Sequence, residues 1–395
     1  MHARTLSVFR LYQLFTGVDF AGPIWAVFLL SRGLTLAQFG LVEAALHVGM
    51  LLAQVPTGAL ADAIGRRRML VVAGAFTVAG QLGYVYAPGF ALICVAGAVH
   101  GVSFALRTGT DEAYLFDSLA HDNTEAMFPR MLGGLWAVFQ FAGASAFLLG
   151  GQTATYSRPL AFWMTAICAV IASCIATRLP SDSAERQGDS LRTARRGLAA
   201  LRRSPRLAML TVAWSIYWAA VTTVWYYAAP LLHSHGASDK LLGLVLGGCM
   251  LLSAGFSWIG GHMPGRVPLA VTISVSSAVA AVAFVLQGVS PGLVLPVLFL
   301  AIASGLPELV YVSLSTYLQH NTRSEFRATS MSIAEGCFSI QMLWLFPLVG
   351  LLSQRSGFTV GFALCAVLLS VAAGMFIVSQ RLRGLEAESL VPETA

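Results

Sequence analysis

About twelve apolar stretches, each roughly twenty residues long and divided by short polar turns, fix the solvent this chain folds in. A helix of about 20 residues spans the hydrocarbon core of a bilayer, and a helix satisfies its own backbone hydrogen bonds there. Charged residues make up only 11% of the chain, where a soluble domain carries about 25%. Too little charge remains to cover a water-facing surface. The expected fold is an all-α integral membrane protein with twelve transmembrane helices in two pseudo-symmetric six-helix halves. Residues 1–180 form the first half, 181–206 a basic cytoplasmic linker, 207–382 the second half and 383–395 a polar cytoplasmic tail.

The spans are predicted at 9–30, 36–60, 69–86, 90–114, a fifth ending near 151, 159–177, 207–232, 240–260, 267–289, 292–318, 327–351 and 359–381. The first is interrupted by Asp19 and by Gly22-Pro23. The net charge of +6 lies at span ends rather than on one face, which argues for orientation in a membrane and against nucleic-acid binding. With both termini cytoplasmic, all of the 24 lysines and arginines except Arg32, Arg158, Lys240 and Arg355 fall on or toward the cytoplasmic side. The first span reads as its own insertion signal, without a cleavage site. The six cysteines lie in apolar stretches without metal-ligand spacing and read as small buried hydrophobes. No nucleotide-binding loop, metal cluster or nucleophile constellation is evident, so neither an enzyme nor a cofactor nor direct ATP hydrolysis is expected.

Between the second and third spans, Gly58, Asp62, Gly65 and Arg66 to Arg68 stand at the spacing Gly-x-x-x-Asp-x-x-Gly-Arg-Arg. This loop resembles the one between the second and third helices of major facilitator superfamily transporters. Asp111, Glu112 and Asp117 resemble that family's fourth-helix motif, and Arg327 its entry into the eleventh helix. The likeness extends to a bacterial branch described as transporters or drug efflux proteins. It implies a monomeric transporter in the cytoplasmic (inner) membrane, moving a small molecule by alternating access, with Gly58, Asp62, Gly65 and Arg66 as a cytoplasmic gate motif. Gln54 stands where the branch commonly has Glu, and the fifth span lacks the Gly-Pro pair of the antiporter motif. The halves echo one another: Asp62-x-x-Gly65-Arg66 recurs as His262-x-x-Gly265-Arg266, a parallel repeat.

Ionisable groups within the bilayer are costly and mark candidate sites. Asp19 lies about 15 Å into the first helix, near the midplane. With Arg107 as its partner, it is either the carboxylate for which proton and substrate compete or half of a structural ion pair. Glu43 and His47, at i and i+4, either relay a proton or satisfy each other. His100 is a further candidate, weighed against the commoner role of a hydrogen-bonded packing residue. Asp111 pairs with Arg107 at i, i+4 and leaves Glu112 the freer group. Glu308 follows Gly305-Leu306-Pro307, an expected helix break exposing backbone to a cavity. Trp218 and Trp225, with Trp214, either line a cavity for an apolar or cationic ligand or anchor the helix. The function expected is proton-coupled export of lipophilic compounds. Proton-coupled nutrient uptake and a non-transporting sensor on the same fold are the alternatives.

Overall fold

The computed structural model describes residues 3–107, 128–180, 205–262, 269–321 and 324–381. Among them are thirteen α-helices and no strand. The first span is two helices, α1 (Ala3–Gly17) and α2 (Trp25–Ser31), joined by residues 18–21 and a 3₁₀ turn at Gly22–Ile24. The rest of the first half is α3 (Leu36–Ile64), α4 (Arg66–Tyr86), α5 (Phe90–Arg107), α6 (Phe128–Ala154) and α7 (Arg158–Ala176). The second half holds α8 (Pro205–Ser234), α9 (Asp239–His262), α10 (Leu269–Val289), α11 (Val294–Asn321), α12 (Ser324–Ser356) and α13 (Phe358–Arg381). Taking α1 and α2 as one passage, ten segments are long and apolar enough to cross a membrane. Val294–Val310 is a shorter apolar helix, and the 27-residue α6 completes the twelve.

The helices stop where the turn chemistry requires. Gly65 adopts φ 84°, a left-handed conformation that residues with a side chain rarely take, and this separates α3 from α4. Arg32 then caps the far end of α4, its guanidinium donating to the carbonyls of Tyr84 and Ala87. The gap in the first span has a local cause: Pro23 starts the 3₁₀ turn without an N–H of its own, and Asp19 takes up neighbouring backbone donors.

Packing repeats between the halves. In the first, α3 lies against α5, α4 against α5 and α7, and α1 against α6 and α7. In the second, α9 lies against α11, α10 against α11 and α13, and α8 against α12 and α13. The halves meet along two lines, α3 with α12 and α6 with α9, which the repeat relates to each other. The sequence Gly-Leu-Val at 40–42 at the start of α3 recurs at 243–245 at the start of α9.

The bundle end that carries the turn at residues 32–35 is sealed. There a Cβ on Gly151 of α6 would stand 2.7 Å from the Cα of Gly243 on α9, so the two backbones touch only because both residues lack side chains. On the other line the Tyr227 hydroxyl reaches the carbonyls of Phe346 at 2.9 Å and Leu36 at 3.2 Å. Arg158 of α7 grips Asp239 of α9 with two bonds, Nε to Oδ2 at 2.7 Å and Nη2 to Oδ1 at 3.0 Å.

Candidate functional site

The site grows from the break in the first span. Asp19 Oδ1 accepts the N–H groups of Ala21 and Gly22, each at 3.1 Å, and the Thr165 hydroxyl of α7 stands 3.3 Å from it. The Thr165 oxygen in turn accepts the Phe20 N–H at 2.9 Å. Backbone donors freed by the break are thus satisfied by two side chains, which fixes the carboxylate. Asp19 Oδ2 lies beside Gly22, where a Cβ would stand 2.9 Å from it and 2.5 Å from the Phe147 ring. A cavity of about 50 Å³ opens there, room for a few waters or a compact ion.

Its lining comes from both halves: Asp19, Gly22 and Ala26 of the first span, Phe147 of α6, Trp225, Tyr226 and Ala229 of α8, and Leu246 of α9. Among the described residues the lining holds one carboxylate, three aromatic rings and no basic side chain. Such a surface suits a cation, held by charge and by the ring faces.

Arg107 is not the partner expected for Asp19. Its Nη1 points to the Thr16 carbonyl at 3.4 Å, and its guanidinium stands 5.8 Å from the ring centres of both Phe104 and Phe139. The reason is that α1 ends at Gly17 and leaves carbonyls without intrahelical donors, and these attract a cation. Glu43 and His47 do share a face of α3, with Oε1 and Nε2 4.0 Å apart. His47 Nδ1 lies 3.3 Å from the Ser339 hydroxyl of α12. His100 meets the Tyr84 ring edge-on, with 3.4 Å between its Nδ1 and the phenol oxygen.

Glu308 requires a correction. The expected break at Gly305-Leu306-Pro307 does not occur, and α11 runs through Pro307. Pro307 leaves the carbonyl four residues earlier without its helical donor, and beside it the Ser253 hydroxyl of α9 donates to the Ser304 carbonyl at 2.9 Å. Ser257 on the same helix donates to Glu308 Oε2 at 3.0 Å. Trp225 lines the Asp19 cavity, whereas the Trp218 ring lies tilted 6.3 Å from Trp214 and edge-on 6.1 Å from Tyr217. Gly65 and Arg66 join α3 to α4. The side chains of Gly58 and Asp62, and residues Asp111, Glu112 and Asp117, lie outside the described residues. Thr165, Ser339, Tyr226 and the Arg158–Asp239 pair were not legible in advance. A lone hydroxyl in an apolar span makes no pattern, and charges at span ends read as orientation.

Two six-span groups meeting over a partly buried carboxylate, sealed at one end, define a polytopic transporter. Residues 13–340 match the family model of the Major Facilitator Superfamily, and the chain belongs to that family. It is 21% identical over 400 residues to the uncharacterized MFS-type transporter YxaM of Bacillus subtilis, covering 96% of each chain. It is 29% identical over 170 residues to the uncharacterized MFS-type transporter Rv2456c of Mycobacterium tuberculosis, which is 42% of this chain and 40% of the relative. Among solved structures, the nucleoside transporter NupG superposes with a TM-score of 0.75 at 12% identity, over 96% of this chain and 98% of its own. A D-xylose-proton symporter gives 0.73 at 15% identity, over 95% and 97%. These two likenesses establish the fold.

Proposed function

We propose that this protein is a proton-coupled exporter of small lipophilic cations, working by alternating access with Asp19 as the carboxylate for which proton and substrate compete. The cavity between the halves carries this reading: among the described residues its one charged group is an acid, and the rest of its lining is aromatic or aliphatic. An isolated carboxylate in such surroundings needs a proton or another cation to neutralise it. In this reading Arg107 caps α1 rather than sensing Asp19.

The basic span ends orient the molecule with both termini inside the bacterial cytoplasmic membrane, which makes the sealed end periplasmic. The packing repeat of the described helices supports a division into halves at 1–180 and 207–382, with 181–206 as linker and 383–395 as tail read from the sequence. A single copy contains both halves of the cavity, which supports a working monomer.

The test is proton movement in everted vesicles, followed with a pH-sensitive dye during addition of lipophilic cations such as ethidium and of neutral compounds. Cations are expected to release protons through the wild type and not through Asp19→Asn. Proton movement that survives Asp19→Asn, or that follows neutral compounds equally, overturns the proposal.

A further inference from the structure

We propose that Glu43 and His47 form a second proton-binding site, distinct from the Asp19 cavity and complete only while the two halves are in contact. Its role in transport rests on the reading above; the proton site itself does not.

Glu43 lies seven residues into α3, about 10 Å below the sealed end at 1.5 Å per residue. It is 2% exposed, and its Oε2 has no hydrogen-bond partner. Its Oε1 is 4.0 Å from His47 Nε2, beyond hydrogen-bond distance. His47, 4% exposed, belongs half to the other side of the molecule. Its Nδ1 meets the Ser339 hydroxyl, and its ring meets Phe338 edge-on at 5.3 Å, both on α12.

The titratable groups around Glu43 are few. Besides His47 on α3 they are Tyr84 on α4, Tyr226 and Tyr227 on α8, and Asp19, which shares Tyr84 and Tyr226 as neighbours. Cys94 and His100 on α5 adjoin Tyr84, and Glu335 lies one turn from Ser339 on α12. Among the described residues no lysine or arginine pairs with Glu43. An ionised carboxylate with neither donor nor close counterion costs several kcal/mol. A 4.0 Å pair without a hydrogen bond repays too little of that cost, so Glu43 carries its proton here.

The repeat shows that packing does not demand this pair. After the recurring Gly-Leu-Val, α9 has Leu246 and Met250 where α3 has Glu43 and His47. An apolar pair fills the equivalent place, so the acid and imidazole in the first half serve something other than the fold. When α12 moves away, Ser339 and Phe338 leave with it, water reaches Glu43, and the carboxyl can give its proton to that water. Sealing and proton binding therefore favour each other, as linkage requires. Because Glu43 gains and loses its proton through the same end, that proton sets the balance between sealed and open states and is not carried across, while exchange of one proton for one monovalent cation at Asp19 stays electroneutral.

The experiment pairs infrared spectroscopy of the purified protein with transport in liposomes. Carboxylic acid C=O absorption at neutral pH is expected in the wild type, with one component band lost in Glu43→Gln and kept in Asp19→Asn. Cysteines placed at Ala37 and Gln354 in a cysteine-free background, joined by a short bis-maleimide, hold the end shut. The band should then persist to a pH higher by about one unit or more. In liposomes, ethidium transport by the wild type should vary with the pH on the side of the sealed end, and Glu43→Gln should lose that part of the pH dependence while keeping the exchange at Asp19. If Glu43→Gln does not fold, Glu43→Asp is expected to shift the band. A band untouched by either substitution overturns the proposal, as does a cross-link without effect on it. A wild type that shows the Glu43 band but moves no ethidium removes the transport reading and leaves the proton site standing.

Discussion

Asp19 is held by its own turn, and that limits what it can bind. With Oδ1 occupied by Ala21, Gly22 and Thr165, only Oδ2 is available, so the site is monodentate. Guanidinium prefers two parallel carboxylate oxygens, and alkylammonium needs one. Competition against ethidium transport is therefore expected to favour an alkylammonium over an alkylguanidinium of the same chain length. Gly22→Ala places a methyl against Phe147 and Oδ2. It should abolish ethidium transport while costing about 1–3 kcal/mol of stability, read as a lowered Tm of otherwise folded protein. Trp225→Ala removes a ring face worth about 0.5–2 kcal/mol to a bound cation, a roughly two- to thirtyfold loss in affinity measured by ethidium fluorescence. Asp19 was legible in the sequence because a lone acid at mid-span has few reasons to be there. Its partner was not, because the choice between Arg107 and Thr165 depends on where α1 ends.

At the scale of elements, breaks and continuities differ in what they reveal. The interruption of the first span is visible as Asp19 followed by Gly22-Pro23, since an acid that binds backbone donors and a proline that lacks one act together. Gly305-Leu306-Pro307 carries the same outward sign, yet α11 continues through Pro307, with Ser253 and Ser257 of another helix bonded to the Ser304 carbonyl and the Glu308 carboxylate beside it. No local pattern announces help from another helix. The Arg158–Asp239 pair joins helix starts from opposite halves, with side-chain exposures of 26% and 10%. A pair so placed is worth about 1 kcal/mol. Arg158→Gln is expected to raise the population open at this end roughly fivefold, measured as faster maleimide labelling of a cysteine at position 37. The exchange Arg158→Asp with Asp239→Arg should restore the wild-type rate.

For the molecule as a whole, the twelve spans were legible from apolar run length alone, and the repeat only faintly. The Gly-Arg echo at residues 65 and 265 marks it at one end. The stronger correspondence is structural: α3 on α12 and α6 on α9, each closed by glycine. Gly40 lies against the Phe346 carbonyl and Gly350 against that of Leu36, as Gly243 does against Phe147 and Gly151 against Asp239. The seal is therefore two parallel edges rather than a broad face, and this gives the molecule a direction of failure. A wedge on one edge leaves the other as a hinge, so the halves should swing like a door instead of parting evenly. Spin-label distances across the sealed end are expected to lengthen on the α6–α9 side in Gly243→Leu and on the α3–α12 side in Gly350→Leu. The untouched edge then serves as the axis in each case.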